Sequence, residues 1–103
     1  MATLFEDGDR ISISRLDAGL LVALLASPNQ AYALARQCEA DSGQVMRISN
    51  GTLYHSLKSL TVFRLIDKKG SRYAITDLGR QILELEVRRM NRLARLTRER
   101  GLS

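Results

Sequence analysis

Between Ser49 and Ser59 the sequence gathers hydrogen-bonding side chains, Ser49, Asn50, Thr52, Tyr54, His55, Lys58 and Ser59, with no carboxylate among them. Leu53, Leu57 and Leu60 are interleaved at helical spacing, so the leucines take one side of a helix and the polar set takes the other. Lys58 and the Tyr54 hydroxyl suit phosphate oxygens, while Asn50, Thr52 and His55 can donate and accept at base edges. Tyr54 has a second reading, in which its ring packs against the following hairpin. Further on, Lys68, Lys69, Ser71 and Arg72 place three positive charges within five residues. That density suits a polyanionic backbone, and lysines there also discourage sheet-to-sheet association.

Other chemistries are poorly supplied. His55 is the only histidine and Cys38 the only cysteine, which excludes an intramolecular disulfide and a multi-cysteine zinc site. There is no glycine-rich phosphate loop and no Ser/His/Asp grouping, and too few acids lie near His55 for a general acid-base pair. No metal, cofactor or catalysis is expected.

The elements that must position these residues follow from local signals. Ser14 with Asp17 forms a capping pair for a first helix, which carries Leu16, Leu20, Val22, Ala23, Leu24 and Leu25 and is apolar nearly all round. Ser27-Pro28-Asn29 breaks it. A second helix over about Gln30 to Ala40 buries Ala31, Leu34, Ala35 and Cys38 and leaves Arg36, Gln37 and Glu39 wet. Asp41-Ser42-Gly43 ends that helix, Val45 to Ile48 reads as extended, and Ser49 caps a third helix to about Thr61. Leu65-Ile66 and Tyr73 to Ile75 flank a turn in which Gly70 can take positive φ, giving a two-stranded hairpin. Thr76 caps a last helix of some 25 residues, roughly 37 Å long. Its Leu78, Ile82, Leu85, Met90, Leu93 and Leu96, beside Leu83, Val87 and Ala94, are too broad an apolar surface for a monomer to leave exposed, so a twofold-related copy is expected to cover it. Arg88, Arg89, Arg92, Arg95, Arg98 and Arg100 read as its solvated face.

A chain of 103 residues, 45% hydrophobic, builds one core. Charge is unevenly placed. Met1 to Gln44 holds 3 Arg against 6 acids, and Val45 to Ser103 holds 13 Lys and Arg against 5, so net charges of −3 and +8 make up the total of +5. Such asymmetry favours a polyanionic partner. Met1 to Arg10 lacks the basic start and apolar run of a secretory signal, and the apolar stretch Gly19 to Ala26 is far short of a membrane span, so a cytoplasmic location without membrane contact is expected.

The run Ile48-Ser49-Asn50-Gly51-Thr52-Leu53-Tyr54, followed by Leu57, Leu60, Leu65-Ile66, Tyr73-Ala74-Ile75-Thr76 and Leu78-Gly79, resembles the PadR family of winged-helix repressors over about Leu20 to Leu85. Asn50 stands where that family usually has proline and Arg64 where it has glycine, and the wing is shorter than in most relatives. The resemblance implies a mainly α fold with a small β-hairpin, a winged helix-turn-helix domain (14–76) followed by a carboxyl-terminal dimerisation helix (77–103), and the polar, acidic residues 1–13, outside the shared part, read as an arm. It implies double-stranded DNA as partner, with Ser49, Asn50, Thr52, Tyr54, His55 and Lys58 on the recognition helix and Lys68, Lys69, Ser71 and Arg72 in the wing. A homodimer on an inverted-repeat operator follows, most simply as a repressor. The family's small aromatic effectors bind between subunits, whereas this chain has no Trp and only 5% aromatics, which leaves an effector open. Two other readings remain at this stage: a partition adaptor of plasmids or phages bound to tandem repeats, and a winged helix whose partner is a protein.

Overall fold

The computed structural model describes residues 13–102. The arm expected over residues 1–13, Ile11 included, lies outside them except for Ile13, which is buried in the core. The chain runs α1 (Arg15–Ala26), β1 (Asn29–Gln30), α2 (Ala31–Asp41), α3 (Asn50–Val62), β2 (Ile66–Lys69), β3 (Arg72–Ile75) and α4 (Asp77–Glu99). It is mainly α with a small sheet and a long last helix, as expected.

Each helix begins where a side chain can satisfy its free N–H groups, except α2. Ser14 accepts from Asp17 N at 3.1 Å and the Asp17 carboxylate accepts from Ser14 N at 3.4 Å, completing a capping box. Ser49 caps α3 through Thr52 N, and Thr76 caps α4 through Gly79 N. Three helices end alike, with paired bonds back to the last turn and a left-handed residue just beyond it: Gly43 after α2, Arg64 after α3 and Gly101 after α4. Arg64 does this at φ 62°, which for a residue with a Cβ costs about 1 kcal/mol.

The sheet is antiparallel in the order β1-β3-β2, with Lys69 opposite Arg72 and Gly70 turning at φ 61°. A two-stranded hairpin was expected; β1 is a third strand, pairing Asn29 with Tyr73 and Gln30 with Arg72. Two residues carry no alternation, so periodicity cannot reveal such a strand. Val45 to Ile48, expected to be extended, joins no strand.

Leu20, Leu21, Leu24, Leu34, Leu57, Leu60 and Ile66 form the heart of the core, each stabilising the fold by about 2 kcal/mol through lost water contact. Two faces stay apolar and uncovered. On α1, Val22 and Leu25 are 44% exposed. On α4, Leu78, Leu85, Met90 and Leu93 are exposed, whereas Ile82, expected beside them on the dimerisation face, is 4% exposed and belongs to the protomer's own core with Leu83. A one-dimensional stripe does not separate these roles, because α4 packs on α1 and only Gly79, Ile82 and Leu83 of its residues are buried.

Gly79 is where α4 meets the base of the wing. A Cβ there would collide with the Leu65 carbonyl oxygen and lie 2.9 Å from Ile75 Cγ1, while one on Gly51 meets nothing within 4 Å. Gly79→Ala is therefore expected to destabilise by about 3 kcal/mol, lowering Tm by more than about 10 °C, and Gly51→Ala to stabilise by about 0.5 kcal/mol. Thermal melts of the two variants check both signs.

Candidate nucleic-acid interface

Leu53, Ser56, Leu57 and Leu60 fasten α3 to the core, so Asn50, Thr52, Tyr54, His55 and Lys58 are left facing solvent. Ser49 is exposed too, but its hydroxyl donates to Thr52 Oγ1 at 3.0 Å as well as capping the helix. It shapes the entry to α3 before it can contact anything else. In the wing Lys68, Lys69, Ser71 and Arg72 are all exposed. Lys68 Nζ lies 5.6 Å from the Tyr73 ring centroid, and Arg72 Nη1 donates to Pro28 O at 3.5 Å, tying the wing to β1.

The angle between α2 and α3 is held by a residue expected to be wet. Glu39 is only 9% exposed, and its carboxylate accepts from Ile48 N at 2.8 Å. It also faces Arg36 at 3.8 Å. Ser42 donates to Glu39 O and accepts from Met46 N, closing the turn from the other direction. Glu39 lies off the apolar stripe of α2, yet the returning chain folds over it, and no helical period contains that information. A charge-assisted bond to this half-buried amide contributes about 2 kcal/mol to the turn.

Tyr54, Lys68 and Ser71 come together with Gln30, Ala31, Tyr32 and Tyr73 around one open cleft of about 230 Å³. Sequence reasoning missed the α2 members of this set. The available signal was Tyr32, an aromatic residue off the Ala31, Leu34, Ala35 and Cys38 stripe. It is 71% exposed, with the Arg36 guanidinium 5.9 Å from its ring centroid.

Elsewhere the chemistry is quiet. Among the described residues no group of three His, Cys, Asp or Glu is placed to hold a metal, and no helix is long and apolar enough to cross a membrane. Burial, then the neighbouring Asp41 and Glu39 charges, push the Cys38 thiol up, so it stays protonated. Beneath α3, Asp17 is fully buried beside Ser56. Asp17 Oδ1 and Ser56 Oγ make no bond of normal geometry, although the hydroxyl lies close enough to favour the carboxylate.

Burial raises the Asp17 pKa above its ordinary 3.8, partly offset by the bonds from Ser14. A carboxyl with a raised folded-state pKa holds its proton in the native state after the unfolded chain has lost it. Its contribution is therefore most favourable below 3.8 and declines as pH rises through the folded value. Asp17→Asn keeps an acceptor for the Ser14 amide without the buried charge. Denaturant titrations at a series of pH values are expected to show the variant gaining on wild type as pH rises from 3.8 toward neutrality, with the difference then levelling off.

No protein-family model matches the sequence, and neither does any curated protein. Solved structures do match its fold. A transcriptional regulator from Clostridium thermocellum superimposes with a TM-score of 0.71 at 17% identity, covering 85% of this chain and 90% of that one. A PadR family transcription regulator from hypervirulent Clostridium difficile gives 0.70 at 20% identity, over 84% and 97% of the two chains. RosR from H. salinarum gives 0.66 at 18%, over 92% and 97%. The chain thus has the winged helix-turn-helix fold, with its long last helix, that a PadR family transcription regulator also has.

Proposed function

We propose that this chain is a PadR-type transcriptional regulator of the cytoplasm, a repressor that binds an inverted-repeat DNA operator as a homodimer. The observation that carries the reading is the exposed face of α3, which is rich in donors, free of carboxylates and borders a basic wing across the Tyr54 cleft. In this reading α3 enters a major groove. Asn50, Thr52 and His55 read base edges, Tyr54 and Lys58 hold phosphates, and Lys68, Lys69, Ser71 and Arg72 follow the backbone. Ser49 sets the first turn of α3 against the groove edge.

The exposed Leu78, Leu85, Met90 and Leu93 of α4, with the half-buried Leu96 and the uncovered Val22 and Leu25 of α1, support a second copy as the dimer partner. Twofold symmetry then places two α3 helices in successive grooves, which is what an inverted repeat requires. A small-molecule effector would act only by preferring one dimer geometry over another. The charge pattern favours DNA over a protein partner. Arg88 pairs with Glu84, Arg89 with Glu86 and Arg95 with Glu99 on α4, while no ion pair involves Lys58, Lys68, Lys69 or Arg72 among the described residues.

Titration of wild type and the Tyr54→Ala, Lys58→Ala double variant against the region upstream of the protein's own coding sequence, across a salt series, tests this. Wild type is expected to bind selectively, with log affinity falling by about 0.9 per neutralised phosphate for each unit of log salt, and the double variant, short of two phosphate contacts, to bind every duplex more weakly with a shallower salt slope. Absence of binding by wild type at low salt would contradict the proposal.

A further inference from the structure

All three tyrosines of the chain line the one cleft between α2, α3 and the wing. Tyr73 is its floor at 7% exposure, while Tyr32 and Tyr54 stand up from it at 71% and 56%. The polar side chains around the rim are Gln30, Tyr32, Tyr54, Lys68 and Ser71, and every one of them can donate a hydrogen bond. None is a carboxylate. Lys68 is held over the cleft by the Tyr73 ring, and Arg36 is held over Tyr32 by the same kind of contact. The Gln30 amide makes no capping bond to α2, although the residue stands at the N-cap. Three segments far apart in sequence thus converge their donors on one open hollow that has no acceptor charge of its own.

We propose that this cleft seats a single backbone phosphate of duplex DNA, and that Tyr32 of α2 and Gln30 at the end of β1 are DNA contacts in addition to α3 and the wing. The proposal rests on the DNA-binding reading above and deepens it. An anionic oxygen satisfies several donors at once through charge-assisted bonds, whereas a base edge offers at most two uncharged acceptors in the major groove, and the edges of adenine and cytosine present a donor of their own. Tyr, Ser, Gln and Lys side chains are also the usual holders of phosphate and sugar oxygens. The strand would be gripped between α2 on one side and Lys68 and Ser71 on the other, fixing how far α3 slides along its groove. Such a contact carries no sequence information and acts equally on every duplex.

The test uses the full chain with Tyr32→Phe, which keeps the ring beneath Arg36 and removes only the hydroxyl, and with Gln30→Ala. Both are titrated beside wild type on a duplex that wild type prefers and on a scrambled duplex, after thermal melts confirm wild-type stability. The expected result is a loss of about tenfold for Tyr32→Phe, the worth of one charge-assisted hydrogen bond, equal on both duplexes. Phosphate-ethylation interference should lose one signal with that variant, and a smaller uniform loss should accompany Gln30→Ala. Wild-type affinity with an unchanged ethylation pattern in both variants would overturn the phosphate seat while leaving the DNA-binding reading intact. A loss confined to the preferred duplex would also overturn it, by making the cleft a base contact. If wild type binds neither duplex, the DNA-binding reading falls and the phosphate seat falls with it.

Discussion

The Leu65 carbonyl group is the point through which α3, the wing and α4 are referred to one another. It accepts from Thr76 N at 3.1 Å, and the bare Cα of Gly79 passes directly over it. Leu65 N in turn reaches back to Leu60 O at 2.9 Å, and Thr76 Oγ1 donates to Arg64 O at 2.7 Å while accepting from Gly79 N. One short segment therefore closes α3, opens the base of the hairpin and caps α4. Each bond contributes only about 1 kcal/mol, but they share residues, so none can shift without the others. The Thr76 and Gly79 pair has a physical cause here: one residue supplies the cap and the other the missing side chain that lets α4 approach.

Two of the described acids of the first half of the chain are taken up inside the fold. Asp17 is buried in a capping box and Glu39 is folded into the turn before α3, so both spend their charge on structure. On α4 the glutamates pair along the helix with arginines. These exposed pairs add little stability, but they absorb positive charge on the helix assigned to dimerisation. On α3 and the wing Lys58, Lys68, Lys69 and Arg72 are exposed and enter no ion pair among the described residues, so they make up a basic part of the surface.

Much of this was legible in the sequence, because the informative signals were local. Ser14, Ser49 and Thr76 announce their helices through a hydroxyl followed by a free amide, and Leu53, Leu57 and Leu60 announce which side of α3 is buried. Gly70 announces the turn. What was hidden depends on which segment returns to cover which. Glu39 meets the Ile48 amide only after the chain has turned back, β1 pairs with the edge of β3, and Ile82 joins the core where α4 packs on α1. Tyr32 could be read as exposed, but its meeting with Tyr54 and Lys68 is a property of the assembled fold. At Arg64 the chain adopts a conformation that glycine would take without strain, and nothing in the structure explains why arginine stands there.

Selection of bound duplexes from a random pool by the wild-type chain tests whether two copies of α3 read DNA together, as proposed. Enrichment of an inverted repeat whose half-sites are centred about 34 Å apart, one helical turn, is the expected result. Recovery of a single unrepeated half-site would contradict the dimer, and a pool that stays random at low salt would contradict DNA recognition by α3.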